Sequence, residues 1–349
     1  MKKKLACVAL VLTMVVGMLT GCKGSGSAKN GELNLFVWTE YVPDSVIEKF
    51  EQEYGIDVNV STFSTNEDML AKVKSESEGT YDIVQPSDYM VESMIAQGLL
   101  EELDQDALTN LNNIGEQYLD PDYDPGNVYS IPYQGGVAAI GVNTSVIKEE
   151  ITSYDDLFNP DYADSLVVLD DYRATIGMTE RSMGVSVNET DVDTLKEVSD
   201  KLLSLKDIIK VYDSDSPKSE LISGECSLAY CWSAEIALAM EENPDIKIVY
   251  PSDGAFKFLD NWCISKGSKN YDNAMKFINF MCEPEVAEMV MEEFPYMNCN
   301  QTAIDETPDY ANNEAKNVPA DVYEAAERDQ VLDNDTVAIY DKMWTQLKQ

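Results

Sequence analysis

The chain has 349 residues, with 64 acidic side chains against 25 basic ones and no histidine, so its formal charge is −39. That balance offers no basic face for nucleic acid. The absence of histidine removes Ser-His-Asp catalysis and most zinc sites, while a hydrophobic content of 44% supports packed cores in a chain long enough for two domains.

Lys2, Lys3 and Lys4 precede an apolar run from Leu5 to Leu19, and Leu19-Thr20-Gly21-Cys22 follows. A basic start, a short apolar stretch and small residues at a cut site make a secretory signal rather than a spanning helix. The cysteine directly after the cut reads as a bacterial lipobox. Residues 1–21 are then a lipoprotein signal peptide and Cys22 the lipidated first residue of the mature protein. An ordinary signal peptide with a chance cysteine is the plain alternative. Residues 22–30 form the anchor and a Gly/Ser-rich flexible linker. The signal takes three positive charges with it, so −39 becomes −42. The remainder is expected on the extracytoplasmic face of the cell membrane, with no later run of the roughly 20 apolar residues that a span needs.

The next elements alternate. Glu32 to Trp38 places Leu33, Leu35 and Val37 on one face of a strand. Pro43-Asp44-Ser45 opens a helix in which Ser45 and Glu48 have capping-box spacing and Val46, Ile47, Phe50 and Tyr54 form the apolar stripe. Gly55 ends it, and Ile56, Val58 and Val60 begin the next strand. A β-α-β start calls for a parallel pair. Residues 67–78 read as a helix and Tyr81 to Gln85 as a short strand. Further strands are expected at Val137–Val142, Leu166–Leu169, Leu228–Cys231 and Ile246–Tyr250, with helices at Asp193–Leu205, Asn273–Cys282 and Val286–Glu293. This alternation predicts an α/β fold with mostly parallel sheets.

Three other patterns point away from chemistry. Cys226, Cys231, Cys263, Cys282 and Cys299 show no C-x-x-C spacing, so neither a disulfide framework nor a metal knuckle is indicated. Asp120 to Gly126 looks like a calcium loop, but Pro125 replaces the glycine and Ile131 the final glutamate, so an acidic surface loop is expected. Met281, Met289, Met291 and Met297 read as adaptable core. No metal, cofactor or catalytic residue is assigned.

In open α/β sheets, ligands bind beyond the carboxyl ends of strands. Here those ends carry Trp38-Thr39-Glu40-Tyr41, Ser87-Asp88-Tyr89, Asp170-Asp171 and Trp232-Ser233-Ala234-Glu235, and the stretch Phe256 to Asp260 adds aromatics and an acid. Aromatic faces attract ammonium groups and cover methylene chains, and carboxylates accept charge-assisted hydrogen bonds from ammonium. A linear diamine or triamine complements a slot of that kind. A sugar would call for more Asn, Gln and Arg, and arginine is confined to Arg173, Arg181 and Arg328. Glu40 reads equally well as a solvated charge, and Asp170 as a turn or cap residue.

Trp38-Thr39-Glu40-Tyr41-Val42-Pro43, Tyr81-Asp82-Ile83-Val84-Gln85-Pro86-Ser87, Tyr129-Ser130-Ile131-Pro132-Tyr133, Ile140-Gly141-Val142-Asn143, Asp170-Asp171 and Phe294-Pro295-Tyr296 together resemble the bacterial spermidine/putrescine-binding proteins of ABC importers. The resemblance runs from about Glu32 to Lys348. It implies a type II periplasmic-binding-protein fold, two α/β lobes with a ligand cleft between them. Lobe 1 would hold residues 31–137 and 262–305, and lobe 2 residues 138–261 and 306–349. By the same resemblance Trp38, Thr39, Tyr41, Ser87 and Tyr89 would wall the slot from the first lobe. Asp171 and Asp260 would hold ammonium groups, Trp232, Phe258 and Tyr296 would stack on methylenes, and Gln330 would hydrogen-bond an amine. Two positions depart from the spermidine-type pattern: Ala174 stands where those members have glutamate, and Glu235 matches an aspartate of putrescine-type members. Putrescine and spermidine both stay open as ligands.

The function expected is therefore a lipid-anchored polyamine receptor, a monomer that closes on its ligand and hands it to an ABC permease. A receptor for another small solute, such as a sugar or an amino acid, is the alternative. A secreted hydrolase with paired carboxylates is the reading from a different class, and no nucleophile motif supports it.

Overall fold

The computed structural model describes residues 30–349. The signal segment, Cys22 and the linker up to residue 29 lie outside the described residues. The first strand, β1 (Glu32–Trp38), has both faces buried, with Leu33, Leu35 and Val37 packed on one side and Phe36 on the other. Helix α1 (Asp44–Tyr54) buries Val46, Ile47 and Phe50 against that sheet. Ser45 does not cap it. Pro43 holds the N-cap position without a side-chain hydrogen bond, and Ser45 sits inside the first turn, where the fixed φ of proline already sets the entry. Gly55 ends the helix at φ +66, as the sequence anticipates.

β2 (Asp57–Phe63) pairs parallel with β1, but it is the sheet edge and leaves Val60 exposed. Helix α2 (Asn66–Ser75) starts on a Thr65 cap. β3 (Ile83–Val84) is the other parallel neighbour of β1 and leads into helix α3 (Asp88–Ala96). A second set of parallel strands is formed by β5 (Leu166–Val168), β6 (Ile209–Tyr212) and β7 (Leu228–Trp232). Helix α4 (Tyr172–Ser182) follows β5, α5 (Val192–Leu202) and α6 (Lys218–Ser223) flank β6, and α7 (Ser233–Glu242) follows β7.

Two long strands join the sets. β4 (Ser130–Asn143) is buried along all 14 residues and runs antiparallel to β9 (Phe256–Ile264). The main path of the sheet is β2-β1-β3-β9-β4-β7-β5-β6. β8 (Ile246–Val249) and β10 (Met297–Asn298) add to β4, and β11 (Glu327–Arg328) to β9. The expectation of mostly parallel sheets is thus corrected. Each set is parallel within itself, and every ladder made by β4, with the β3–β9 pair, is antiparallel.

The apolar cores divide the same way. One gathers Ala138–Val142 of β4, the β5–β7 set, its helices, and Tyr340, Met343 and Leu347 of the C-terminal helix Asn334–Leu347. Another gathers β1, α1, Phe258, Leu259, Trp262 and Ile264 of β9, and helices α8 (Tyr271–Met281) and α9 (Pro284–Glu293). β4 contributes Ile131 and Tyr133 to the second core and Ala138 to the first, seven residues apart or fewer. Met281, Met291 and Met297 are buried. Cys226, Cys231, Cys263, Cys282 and Cys299 are all free thiols and all buried. Asp124 in the acidic loop is 2% exposed rather than on the surface, because it accepts from the backbone N–H groups of Val128, Tyr129 and Ser130 and fixes the turn into β4.

Candidate functional site

Each strand of the two parallel sets ends near the β4–β9 crossing, and the residues just past those ends line one cleft of about 740 Å³, part of it open to solvent. After β1 the chain turns sharply through Glu40 at φ +49, which brings Trp38, Thr39 and Tyr41 to the wall. After β3, Ser87 holds the N-cap position of α3 with its hydroxyl turned to Asp260 rather than to the helix, and Tyr89 follows in the first turn. After β5, Asp171 caps α4, its Oδ1 accepting from the Ala174 N–H at 3.1 Å. After β7, Trp232 begins α7. The fifth stretch is not a strand end. Phe256, Phe258 and Asp260 alternate along β9 itself and so present the same face to the cleft.

Asp260 is the focus of one end. It is 3% exposed, and it accepts from Ser87 Oγ at 2.6 Å and Tyr41 Oη at 2.8 Å. Asn66 holds Ser87 in turn, donating to its Oγ at 3.0 Å and accepting from its N–H at 3.1 Å. Burial pushes the Asp260 carboxyl up to about 7, although the Ser87 and Tyr41 donors favour its ionised form. The Trp38 indole N–H has no partner within hydrogen-bond distance. Asp88, beside Ser87, is also buried and pushed up to about 7 by burial, with Arg328 pulling the other way.

The other end is a carboxylate cluster around one guanidinium. Arg173 pairs with Asp329 at 2.8 Å, both almost fully buried. Tyr89 Oη donates to Glu67 Oε1 at 2.9 Å. Burial raises Glu67 and Asp171, and their mutual repulsion raises Glu67 further. Asp329 is pushed up to about 7 by burial, against the pull of Arg173. Three carboxyls against a single guanidinium leave this end short of positive charge.

The same cleft carries an aromatic wall. Trp232 meets Phe258 edge-on with ring centroids 4.7 Å apart, and Tyr296 meets Tyr41 at 4.9 Å. Lys257, whose stem also reaches the cleft, is occupied by Tyr323: its Nζ donates to that residue's carbonyl at 2.9 Å and lies 4.7 Å from the ring centroid. Burial lowers its pKa. Ser214 lines the cleft with a buried Oγ that has no partner. A wall of that composition covers methylene groups, and its ends accept hydrogen bonds from cationic donors.

Ten of the twelve residues picked from the sequence line this cleft: Trp38, Thr39, Tyr41, Ser87, Tyr89, Asp171, Trp232, Phe258, Asp260 and Tyr296. Glu235 does not. It is buried behind the wall in an ion pair with Lys218. Gln330 does not line it either, since its side chain is exposed and only its backbone takes part, donating to Asn188 and accepting from Arg173. Eight further residues line the cleft that the sequence does not single out: Ser64, Asn66, Asp88, Ser214, Asp215, Phe256, Lys257 and Asp329. Asp88 lies between two chosen residues and Phe256 alternates with Phe258 and Asp260, so a strand reading of that stretch would have found it. Asp329 carries no local signal, because only the fold brings it to Arg173.

The family model for bacterial extracellular solute-binding proteins matches residues 45–319. The spermidine/putrescine-binding periplasmic protein of Escherichia coli strain K12 is 36% identical over 284 residues, 81% of this chain and 82% of that protein. The spermidine/putrescine-binding periplasmic protein of Salmonella typhimurium strain LT2 is 34% identical over 330 residues, 94% of each chain. Among solved structures, the spermidine/putrescine ABC transporter substrate-binding protein of Streptococcus pneumoniae, in complex with calcium and HEPES, superposes with a TM-score of 0.78 at 31% identity, covering 91% of this chain and 98% of that one.

Proposed function

The chain belongs to the bacterial extracellular solute-binding proteins of ABC transporters, and from that premise we propose that it is the lipid-anchored receptor of a polyamine importer. Putrescine or spermidine binds in the aromatic cleft, and the loaded receptor, a monomer, delivers it to the permease. The chain is a binding protein and not an enzyme, as are the relatives it matches.

The observation that carries the ligand reading is one cleft lined by an aromatic wall and by carboxyls at two places, Asp260 at one and Asp171 and Asp329 at the other, with Glu67 held beside the second by Tyr89. An ammonium group offers donors and no acceptor, so each place suits one. The rings of the wall cover the methylenes, and each aromatic face adds roughly 0.5–2 kcal/mol to a nearby ammonium. Ser214 Oγ is free to accept from an amine. Of the proposed lobe boundaries, 137/138 is supported by the core membership of β4, whereas β9 changes core between Phe256 and Phe258, ahead of 261/262. The lipobox at Cys22 supports the anchor.

The test is calorimetric titration of the domain from Lys23 onward, which contains the whole described fold, with putrescine and with spermidine. About 0.15 M salt screens the general acidic attraction beyond roughly 8 Å, so the affinity that survives belongs to the cleft. One site per chain is expected. Asp260→Asn keeps the shape and removes the charge, and it should weaken binding roughly 10- to 100-fold, as expected for losing a charged hydrogen-bond acceptor. A folded domain that binds neither amine ends the polyamine reading.

A further inference from the structure

Glu235 does not line the cleft, and its cation comes from the protein itself, Lys218. It lies in the first turn of α7, three residues after Trp232, and is 3% exposed. Lys218 Nζ donates to both its oxygens, at 3.2 and 2.9 Å. The same Nζ donates to Glu40 Oε2 at 3.0 Å. Glu40 sits in the turn after β1, so one ammonium ties the β1 side of the cleft to the β7 side. Exposure falls along the trio from Glu40 at 48% to Lys218 at 19% and Glu235 at 3%. The trio stands next to the aromatic wall, since the Tyr296 phenol is raised first by burial and next by the charge on Glu235. Ser214 and Asp215, just before α6 and Lys218, line the cleft themselves.

We infer that Lys218 is a built-in replacement for one ligand ammonium, a specificity residue that fills the Glu235 carboxylate and limits the ligand to ammonium groups reaching Asp260 and the Asp171–Asp329 end. The chemistry is the same on both sides of the comparison. A lysine side chain is an ammonium on a four-carbon stem, and so is the aminobutyl arm of a polyamine. A carboxylate this deeply buried does not stay charged without a partner. With Lys218 in place, Glu235 makes no demand on the ligand. Without it, Glu235 either takes up a proton or recruits an ammonium from outside, and a triamine has one to spare where a diamine does not. This inference rests on the polyamine reading above.

The test compares putrescine and spermidine on the same domain from Lys23 onward, by titration calorimetry at about 0.15 M salt. Lys218→Met keeps the stem and removes the charge. The ratio of spermidine to putrescine affinity is expected to rise at least about tenfold, and Lys218→Met combined with Glu235→Gln should bring it back. Loss of packing alone would weaken both amines together and leave the ratio where it was. A ratio unchanged within about twofold in folded Lys218→Met overturns the inference, and so does a rise that survives the added Glu235→Gln. Should Lys218→Met not fold, Glu235→Gln alone decides. It leaves the Lys218 charge less neutralised beside the slot, so spermidine should lose at least about fivefold more affinity than putrescine, and equal losses overturn the inference. A wild-type domain that binds neither amine fails at the earlier step and removes the polyamine reading itself.

Discussion

Asp260 accepts from Ser87 and Tyr41, and burial still pushes it up to about 7, so its burial outweighs its hydrogen bonds. Asp88 and Asp329 are held up to about 7 for the same reason. Acids whose folded pKa lies above the unfolded value near 4 bind protons more tightly in the folded state. The stability they contribute is complete below about pH 4 and is lost as pH rises through about 7. The ligand-free domain should therefore melt at lower temperature at about pH 8 than at about pH 5, as read by thermal denaturation. Ligand binding has the opposite sign, because an ammonium needs Asp260 ionised. Titrations at about pH 6 in two buffers of different ionisation heat should detect proton release on amine binding, weak or absent at about pH 8, with affinity falling on acidification. Residue identities at this scale are legible where a strand end carries an aromatic or an acid, as at Trp38, Tyr89, Asp171 and Trp232, whereas Ser87 follows only from the resemblance. Glu235 looked the same by that rule, and only the fold brings Lys218 to it from seventeen positions away.

At the scale of elements, the helices that begin on site residues are not legible in the sequence, and neither are α6 or the C-terminal helix. Ser87, Asp171 and Trp232 hold the N-cap positions of α3, α4 and α7, at or just past the ends of short strands. Ser233 to Ala239 is buried almost all round, so no polar face marks the helical period. β9 was recognised only as a cluster of side chains, since its residues are buried on both faces and it pairs with β4 more than a hundred positions away. The β4–β9 contact also sets a strict size limit. A Cβ on Gly135 would lie 2.6 Å from the Phe258 carbonyl oxygen, which is backbone and has nowhere to yield. Gly135→Ala should cost about 1–3 kcal/mol, measured by denaturant unfolding. Because Phe258 carries the wall, amine affinity should drop as well, so that both readouts move together.

For the molecule as a whole, two parallel sets could be foreseen from alternation in the sequence, but not the antiparallel crossing that welds them, because buried strands lose their period-two signature. Contacts between the two sides accompany that crossing. Arg328 binds both oxygens of Asp122 at 3.0 Å, and Tyr172 Oη reaches Glu67 at 3.4 Å, alongside the Lys218 bridge. If the receptor is tethered as proposed, Cys22→Ala should move it from the membrane fraction to the soluble extracytoplasmic fraction of expressing bacteria without altering amine affinity. That outcome is read by fractionation and immunoblot, and a wild-type chain already in the soluble fraction would rule the anchor out. The five thiols complete the picture outside the cell. Burial keeps each one protonated, with Cys226 held up at about 11 and Cys282 at about 12. They are thus shielded from oxidants by the fold alone. They are also distributed over both halves: Cys226 and Cys231 report on the β5–β7 core, and Cys282 and Cys299 on the β1–β9 core. The native chain carries an internal set of chemical clocks, in which the alkylation rate of each sulfur counts how often its own half breathes open.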